Sequence, residues 1–148
     1  MINRSEKAEE LFRSGYNCSQ SVLGAFCDDL EIDFDTAMKI SEGFGGGMGR
    51  LRLTCGAVSG MTMVIGILMS TGRDSHDSRA EVYAKVQELC NEFSDRNGSM
   101  VCATLLGLSG DIKETSTPEP RTEQYYKKRP CVELVKDCVK IIEEEFNI

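Results

Sequence analysis

Apolar residues recur every three or four positions along most of this chain, and that spacing predicts α-helices nearly throughout. The clearest case is residues 75–96, where one apolar stripe runs beside Glu, Lys, Gln and Asp side chains. The other predicted helices cover residues 4–14, Asn17 to Phe26, Asp33 or Asp35 to about Gly43, Ser99 to Leu106, and Pro130 to about Phe146. Alternating, strand-like runs are almost absent, so we expect an all-α fold.

The longest apolar run covers residues 57–69, and small or polar residues interrupt it. A membrane-spanning helix needs about 20 predominantly apolar residues, so this run predicts a buried core helix instead. We expect a single domain over residues 1–148, built as a helical bundle around this central helix at about residues 55–70. The small residues Gly56 and Gly60 would let a neighbouring helix approach it closely.

Two segments break the helical pattern. Residues 43–49 read GFGGGMG, and five glycines in seven positions would each cost about 1 kcal/mol inside a helix, so we expect a non-helical turn. Residues 108–120 are polar and form the longest loop of the chain, which we expect to be mobile.

Four of the seven cysteines lie where a helix is expected to begin. They are Cys18 after Asn17, Cys55 after Thr54, Cys102 three residues after Ser99, and Cys131 after Pro130. The first turn of a helix has unpaired N–H groups and the positive end of the helix dipole, both of which favour a thiolate. The remaining three, Cys27, Cys90 and Cys138, fall on apolar stripes, where a thiol normally serves as core packing.

The glycine-rich turn stands directly before Cys55. We expect Gly45, Gly46, Gly47 and Gly49, with Arg50, to border a cofactor or an approach channel, although a turn imposed by packing alone would have the same composition. A dinucleotide-binding loop is excluded because Met48 stands where its third glycine belongs and no strand precedes it. Arg50 and Arg52 would lower the pKa of Cys55 if they approach it; as surface charges they would not.

Composition narrows the function further. A net charge of -7 argues against nucleic-acid binding, which requires a basic surface. The N-terminus is charged and lacks an apolar signal region, so we expect a cytoplasmic protein with no membrane span. In that reducing compartment seven cysteines indicate catalysis, redox sensing or metal binding rather than structural disulfides. No Cys-x-x-Cys occurs, and the single histidine, His76, lies in a polar segment typical of a surface.

Several segments resemble one family in order along nearly the whole chain. They are Asn17-Cys18-Ser19-Gln20-Ser21-Val22, Gly45-Gly46-Gly47-Met48-Gly49-Arg50, Cys55-Gly56-Ala57-Val58-Ser59-Gly60, Cys102, and Arg129-Pro130-Cys131. Together they resemble the redox-active protein family labelled C_GCAxxG_C_C, although this chain has Cys-Gly-Ala where the label has Gly-Cys-Ala. The resemblance implies that Cys18, Cys55, Cys102 and Cys131 are the characteristic cysteines of a redox protein. The pattern is also similar to part of the split-Soret cytochromes, which implies that an iron–sulfur cluster is an option.

Three functions remain open. Cys55 could be a low-pKa thiolate that forms a reversible disulfide with Cys18, Cys102 or Cys131, as in a thiol oxidoreductase. Alternatively the same four thiols could bind zinc or an iron–sulfur cluster, since both accept four cysteine ligands. In the third, the protein binds a small ligand or a regulatory partner without redox turnover. Whether it is an enzyme or an electron carrier, its redox partner and any homo-oligomer stay open.

Overall fold

Right-handed helices follow one another along the chain, as the apolar spacing predicts. The computed structural model describes residues 3–110 and 114–148. Its helices are α1 (Arg4–Arg13), α2 (Cys18–Phe26), α3 (Phe34–Glu42), α4 (Gly45–Met48), α5 (Gly56–Met69), α6 (His76–Asn97), α7 (Cys102–Leu105), α8 (Glu123–Lys128) and α9 (Cys131–Phe146). Within those described residues there are no strands, and a single antiparallel β-bridge joins Thr54 to Val101. The all-α, single-domain prediction is confirmed.

The central helix is α5, as its apolar sequence predicts. It packs against α2, α6 and α9, and Met61, Val64 and Ile65 on it are fully buried. The apolar face of α9 closes the other side, with Ile141 and Ile142 equally buried. Each such side chain stabilises the fold by about 1.5–3 kcal/mol through removal of apolar surface from water. Among the described helices, none combines the length and apolar character needed to cross a membrane.

The contact between α2 and α5 is unusually close because glycine faces α2. A Cβ added to Gly60 would lie 2.8 Å from the Ser19 carbonyl oxygen and 3.0 Å from Val22 Cβ. A Cβ added to Gly56 would lie 3.2 Å from Cys18 Cβ. The two glycines therefore bring the first turns of α2 and α5 side by side, which confirms the close approach expected at these positions.

The helix starts agree with the sequence at some positions and differ at others. Asn17 caps α2 with the predicted capping box, in which its side chain and that of Gln20 bond each other's backbone N–H. Thr54 and Ser99, however, are not caps. Thr54 is held in the β-bridge, so Cys55 itself is the N-cap of α5, and α7 begins only at Cys102, after Val101.

The glycine-rich turn winds with the opposite hand. Gly46 and Gly47 have φ of 66° and 70°, so the single turn called α4 is not a regular right-handed helix and the predicted break is present. Positive φ also occurs at Met48, Arg50 and Arg52, where an L side chain is strained. A Cβ on Gly47 would come within 2.7 Å of both Cys102 Cβ and the Leu53 nitrogen, so only glycine fits there.

The long polar loop is followed by a helix that the sequence did not predict. Of residues 108–120, residues 111–113 lie outside the described part, residues 114–120 are irregular, and the expected mobility stays a prediction. The short α8 begins after Thr122, whose hydroxyl accepts a hydrogen bond from the Tyr125 N–H at 3.2 Å. Six residues are too few to show a helical period, which is why this element was missed.

We expect Gly60→Ala to destabilise the protein by about 1–3 kcal/mol, because the new methyl group would push α2 away from α5. The matched control is Gly66→Ala in the same helix, where an added Cβ meets no described atom within 4 Å. That control should stabilise the protein by about 0.5–1 kcal/mol through helix propensity. Urea denaturation followed by circular dichroism measures both; equal effects of the two substitutions would contradict the close-packing argument.

Candidate thiol site

The four helix-start cysteines border one cavity. Cys18, Cys55, Cys102 and Cys131 all line a small space of about 60 Å³, here called the inner cavity. They come from the beginnings of α2, α5, α7 and α9, which are far apart in sequence. The residues predicted as a site are thus gathered by the fold at one place, while Cys27, Cys90 and Cys138 lie in the hydrophobic core as expected.

The β-bridge fixes two of these cysteines relative to each other. Thr54 pairs with Val101, and Cys55 and Cys102 follow them directly in the chain. The Cys55 N–H donates to the Met100 carbonyl at 2.8 Å, and the Ala103 N–H donates to the Arg52 carbonyl at 3.2 Å. The start of α5 is therefore tied to the start of α7 by backbone hydrogen bonds, which no side-chain pattern announces.

Cys18 and Cys131 affect each other's ionisation, and a hydrogen bond between their side chains is the largest cause of the pKa shift of each. This bond, in which the Cys18 thiol donates, lowers the pKa of Cys131 to about 7, and the positive charges of Arg129, Arg121 and Arg52 act in the same direction. The pKa of Cys18 is raised well above its ordinary value, first by the hydrogen bond to Cys131 and then by burial. Of the two thiols, Cys131 therefore loses its proton first as the pH rises.

Cys55 does not have the low pKa that its position predicted. Burial raises the pKa of Cys55 to about 12, although the amides of Ala57 and Val58 act in the opposite direction. The prediction of a Cys55 thiolate is therefore wrong, because the loss of hydration outweighs the helix start. Burial also raises the pKa of Cys102, against the effect of the Arg52 guanidinium beside it.

The two arginines before Cys55 make their contacts with other residues. Arg52 is only 6% exposed, and its Nη1 lies 3.7 Å from the Cys102 sulfur, while its Nε donates to Glu114 at 3.2 Å. Arg50 turns away from the thiols and donates to the Thr115 carbonyl at 2.8 Å and to the carboxylate of Glu114 at 3.0 Å. The expected approach of these side chains to Cys55 is therefore not seen. Arg52 contacts Cys102 instead, and Arg50 binds the polar loop.

A second, larger space of about 450 Å³ adjoins the inner cavity and is called the outer cavity below. Both cavities share the side chains of Arg52, Arg121, Tyr125 and Arg129, so these form the boundary between them. The predicted cofactor-binding residues that line the outer cavity are Gly45, Gly46, Gly49 and Arg50. The fourth predicted glycine, Gly47, packs against Cys102 instead.

Residues 114–119, here called the acidic strap, contribute Ser116, Pro118 and Glu119 to the lining of the outer cavity. Glu114 forms ion pairs with both Arg50 and Arg52, at 3.0 and 3.2 Å. Glu119 is paired with Arg129 and lies 3.6 Å from Arg50. No sequence pattern singles out the strap, Arg121 or Tyr125, because they stand in and after an irregular loop and reach the site only through tertiary contacts.

The thiols that line the inner cavity are of a type that binds metals. Its donors would be four thiols, a set suited to zinc or an iron–sulfur cluster. Across residues 3–110 and 114–148, however, no three His, Cys, Asp or Glu side chains are arranged to hold a metal ion. The four thiols surround a common space without forming a ready ligand cage, so the donor chemistry fits a metal and the spacing does not.

We expect Cys131 to react fastest with iodoacetamide, with a rate that rises with pH around a midpoint near 7, because only the thiolate reacts. Cys55, with its pKa near 12, and the buried Cys138 should stay largely unlabelled at neutral pH. Brief labelling at several pH values followed by peptide mass spectrometry measures this. Cys18→Ala should move the Cys131 midpoint upward, whereas Cys27→Ala, in the core, should not. Faster labelling of Cys55 would refute the assignment.

The family comparison covers the region that carries this site. The family described as Putative redox-active protein (C_GCAxxG_C_C) matches residues 16–145, which include all four cavity cysteines, the glycine-rich turn and the acidic strap. Comparison with curated proteins and with solved structures gives no significant match. The resemblance seen in the motifs is confirmed: the chain belongs to the C_GCAxxG_C_C family.

Proposed function

We propose that this protein is a thiol oxidoreductase in which Cys131 is the nucleophile and Cys18 the resolving thiol of a reversible disulfide. The observation that carries the proposal is that both cysteines line the inner cavity, while the Cys18 thiol and Arg129 lower the pKa of Cys131 to about 7. Family membership supports the redox role in general terms. Such a cycle suits the cytoplasm, where thiols are kept reduced.

The proposed reaction is thiol–disulfide exchange with a disulfide substrate. The Cys131 thiolate attacks one sulfur of the substrate, forming a mixed disulfide and releasing the other half as a thiolate. Cys18 then loses its proton to that leaving thiolate or to water and attacks the Cys131 sulfur, which releases the second half. Two protein thiols are oxidised to one disulfide and one substrate disulfide is reduced to two thiols, so electrons and protons balance.

The charge of Arg129 and the burial of Cys131 both affect this step. The positive charge of Arg129, two residues before Cys131, acts with the Cys18 thiol to keep the Cys131 sulfur ionised. Cys131 is only 9% exposed, so the route for a substrate leads through the outer cavity rather than directly from solvent. Cys55 and Cys102 line the same inner cavity, and their raised pKa keeps them protonated and slow to compete.

We expect mild oxidation of the reduced protein to join Cys18 to Cys131, because these two thiols share a hydrogen bond and one of them is ionised. Non-reducing peptide mapping should find this bond, and Cys138 should remain a thiol. In Cys18→Ser the first step should still occur but the mixed disulfide on Cys131 should accumulate, since no resolving thiol is left. Cys131→Ser should form neither product, and Cys27→Ala should behave like the unchanged protein. A disulfide between any other pair would overturn the assignment.

A metal centre is the second candidate, favoured by the four thiols that line one cavity without a histidine among the described lining residues. Anaerobically purified protein would be assayed for visible absorbance, iron, zinc and acid-labile sulfide. Stoichiometric metal that is lost in Cys55→Ser, a residue outside the proposed disulfide, would replace the dithiol proposal by a four-cysteine centre. If neither metal nor a redox-active disulfide is found, the remaining function is ligand or partner binding.

A further inference from the structure

Positive charge is concentrated at the outer cavity of this acidic protein. Four arginines line it, Arg50, Arg52, Arg121 and Arg129, against two glutamates, Glu42 and Glu119, and no lysine is among the described lining residues. The chain as a whole has a net charge of -7, so the cavity departs from the average surface. Guanidinium groups are suited to hold carboxylates because their parallel N–H donors match the two carboxylate oxygens.

The backbone is strained to keep two of these arginines in place. Arg50 and Arg52 have φ of 68° and 62°, in the left-handed region that non-glycine residues avoid. Such conformations cost about 1–3 kcal/mol each and collect at functional sites. Gly46 makes room for them, since a Cβ there would come 2.9 Å from Arg50 Cγ. The turn therefore fixes cationic side chains at the wall of the outer cavity at a cost in stability.

Carboxylates of the chain already occupy some of these guanidinium groups. Glu114, with 24% of its side chain exposed, is shared by Arg50 and Arg52, which line the outer cavity. Glu119 is different, because 41% of its side chain is exposed and its main partner is Arg129. Ion pairs with this much solvent contact contribute little free energy, so another carboxylate can replace Glu119 there.

Arg129 connects the two cavities. Its side chain lines both of them, and its charge acts on the Cys131 sulfur. The inner cavity, at about 60 Å³, has room for only a few atoms, so the body of any substrate must remain in the outer cavity. A group bound to Arg129 from the outer side thus holds the rest of its molecule at the entrance to the thiols.

We propose that the outer cavity binds the carboxylate of a small anionic disulfide at Arg129, in exchange for Glu119, and so presents the disulfide to Cys131. This names a substrate class for the proposed function and rests on it. The carboxylate takes no covalent part; the reaction is the exchange already described, in which the substrate disulfide is reduced to two thiols. Glu119 holds the place of the substrate carboxylate while the site is empty of substrate.

The test compares three small disulfides that differ in charge: dithiodipropionate with two negative charges, hydroxyethyl disulfide with none, and cystamine with two positive charges. The second-order rate of Cys18–Cys131 disulfide formation is measured at one pH and ionic strength. We expect dithiodipropionate to react about tenfold faster than hydroxyethyl disulfide, and cystamine to be the slowest. The ratio of the anionic to the neutral rate is the readout, because changes in the thiolate fraction of Cys131 cancel in it.

Three substitutions test this ratio, and a different outcome is expected for each. Arg129→Gln should bring it close to one, and Glu119→Gln should raise it, because Arg129 is then available to the substrate. Lys128→Gln is the matched control: it removes one positive charge from the neighbouring, exposed position and should leave the ratio unchanged. Equal rates for the three disulfides, or equal effects of Arg129→Gln and Lys128→Gln, would overturn this inference and leave the proposed function standing.

Failure of the proposed function would appear differently. If none of the three disulfides oxidises the Cys18–Cys131 pair, the dithiol cycle is refuted, and the cavity is tested with adipate, a dicarboxylate that cannot react. Binding is then followed by the arginine Nε–H signals in a nuclear magnetic resonance titration. Binding that is weakened by Arg129→Gln and not by Lys128→Gln supports the carboxylate site; absence of adipate binding overturns it.

Discussion

The close approach of α2 to α5 is the constraint on which the site depends. Gly60 lets the Ser19 carbonyl and Val22 lie against α5, and Gly56 leaves room for Cys18 beside the first turn of that helix. Because both helices begin at this contact, Cys18 and Cys55 line the same cavity. The β-bridge adds the start of α7, and the packing of α9 on α2 and α5 adds Cys131. Four positions distant in sequence thus share one cavity.

Inside this cavity the balance between burial and charge selects one reactive sulfur. A thiol taken out of water resists ionisation, and this effect raises the pKa of both Cys55 and Cys102. Cys131 is equally enclosed, yet it receives a hydrogen bond from Cys18 and lies near three guanidinium groups. A helix start alone is therefore insufficient to produce a thiolate in a buried site; a donor and nearby positive charge are also required.

The glycine-rich turn and the acidic strap are two parts of one structure. The left-handed turn directs Arg50 and Arg52 toward residues 114–119, where Glu114 and Glu119 pair with these arginines. The strap lines part of the outer cavity as a result, and Arg121 anchors the chain beyond it by donating to the Phe12 and Tyr16 carbonyls at 2.9 and 3.1 Å. Access to the thiols therefore passes a wall of arginines, two of which stand on strained backbone.

The sequence by itself determined the helical architecture, the central apolar helix, the two classes of cysteine and the break at residues 43–49. These follow from local rules: apolar spacing, capping at Asn17, and the cost of glycine in helices. It failed at Cys55, whose pKa depends on burial, and at α8, Glu119 and Arg121, whose roles arise from contacts between distant segments. Only the tertiary structure decided which thiol is ionised, because hydration and the position of guanidinium groups are properties of the folded surroundings rather than of neighbouring residues in the chain.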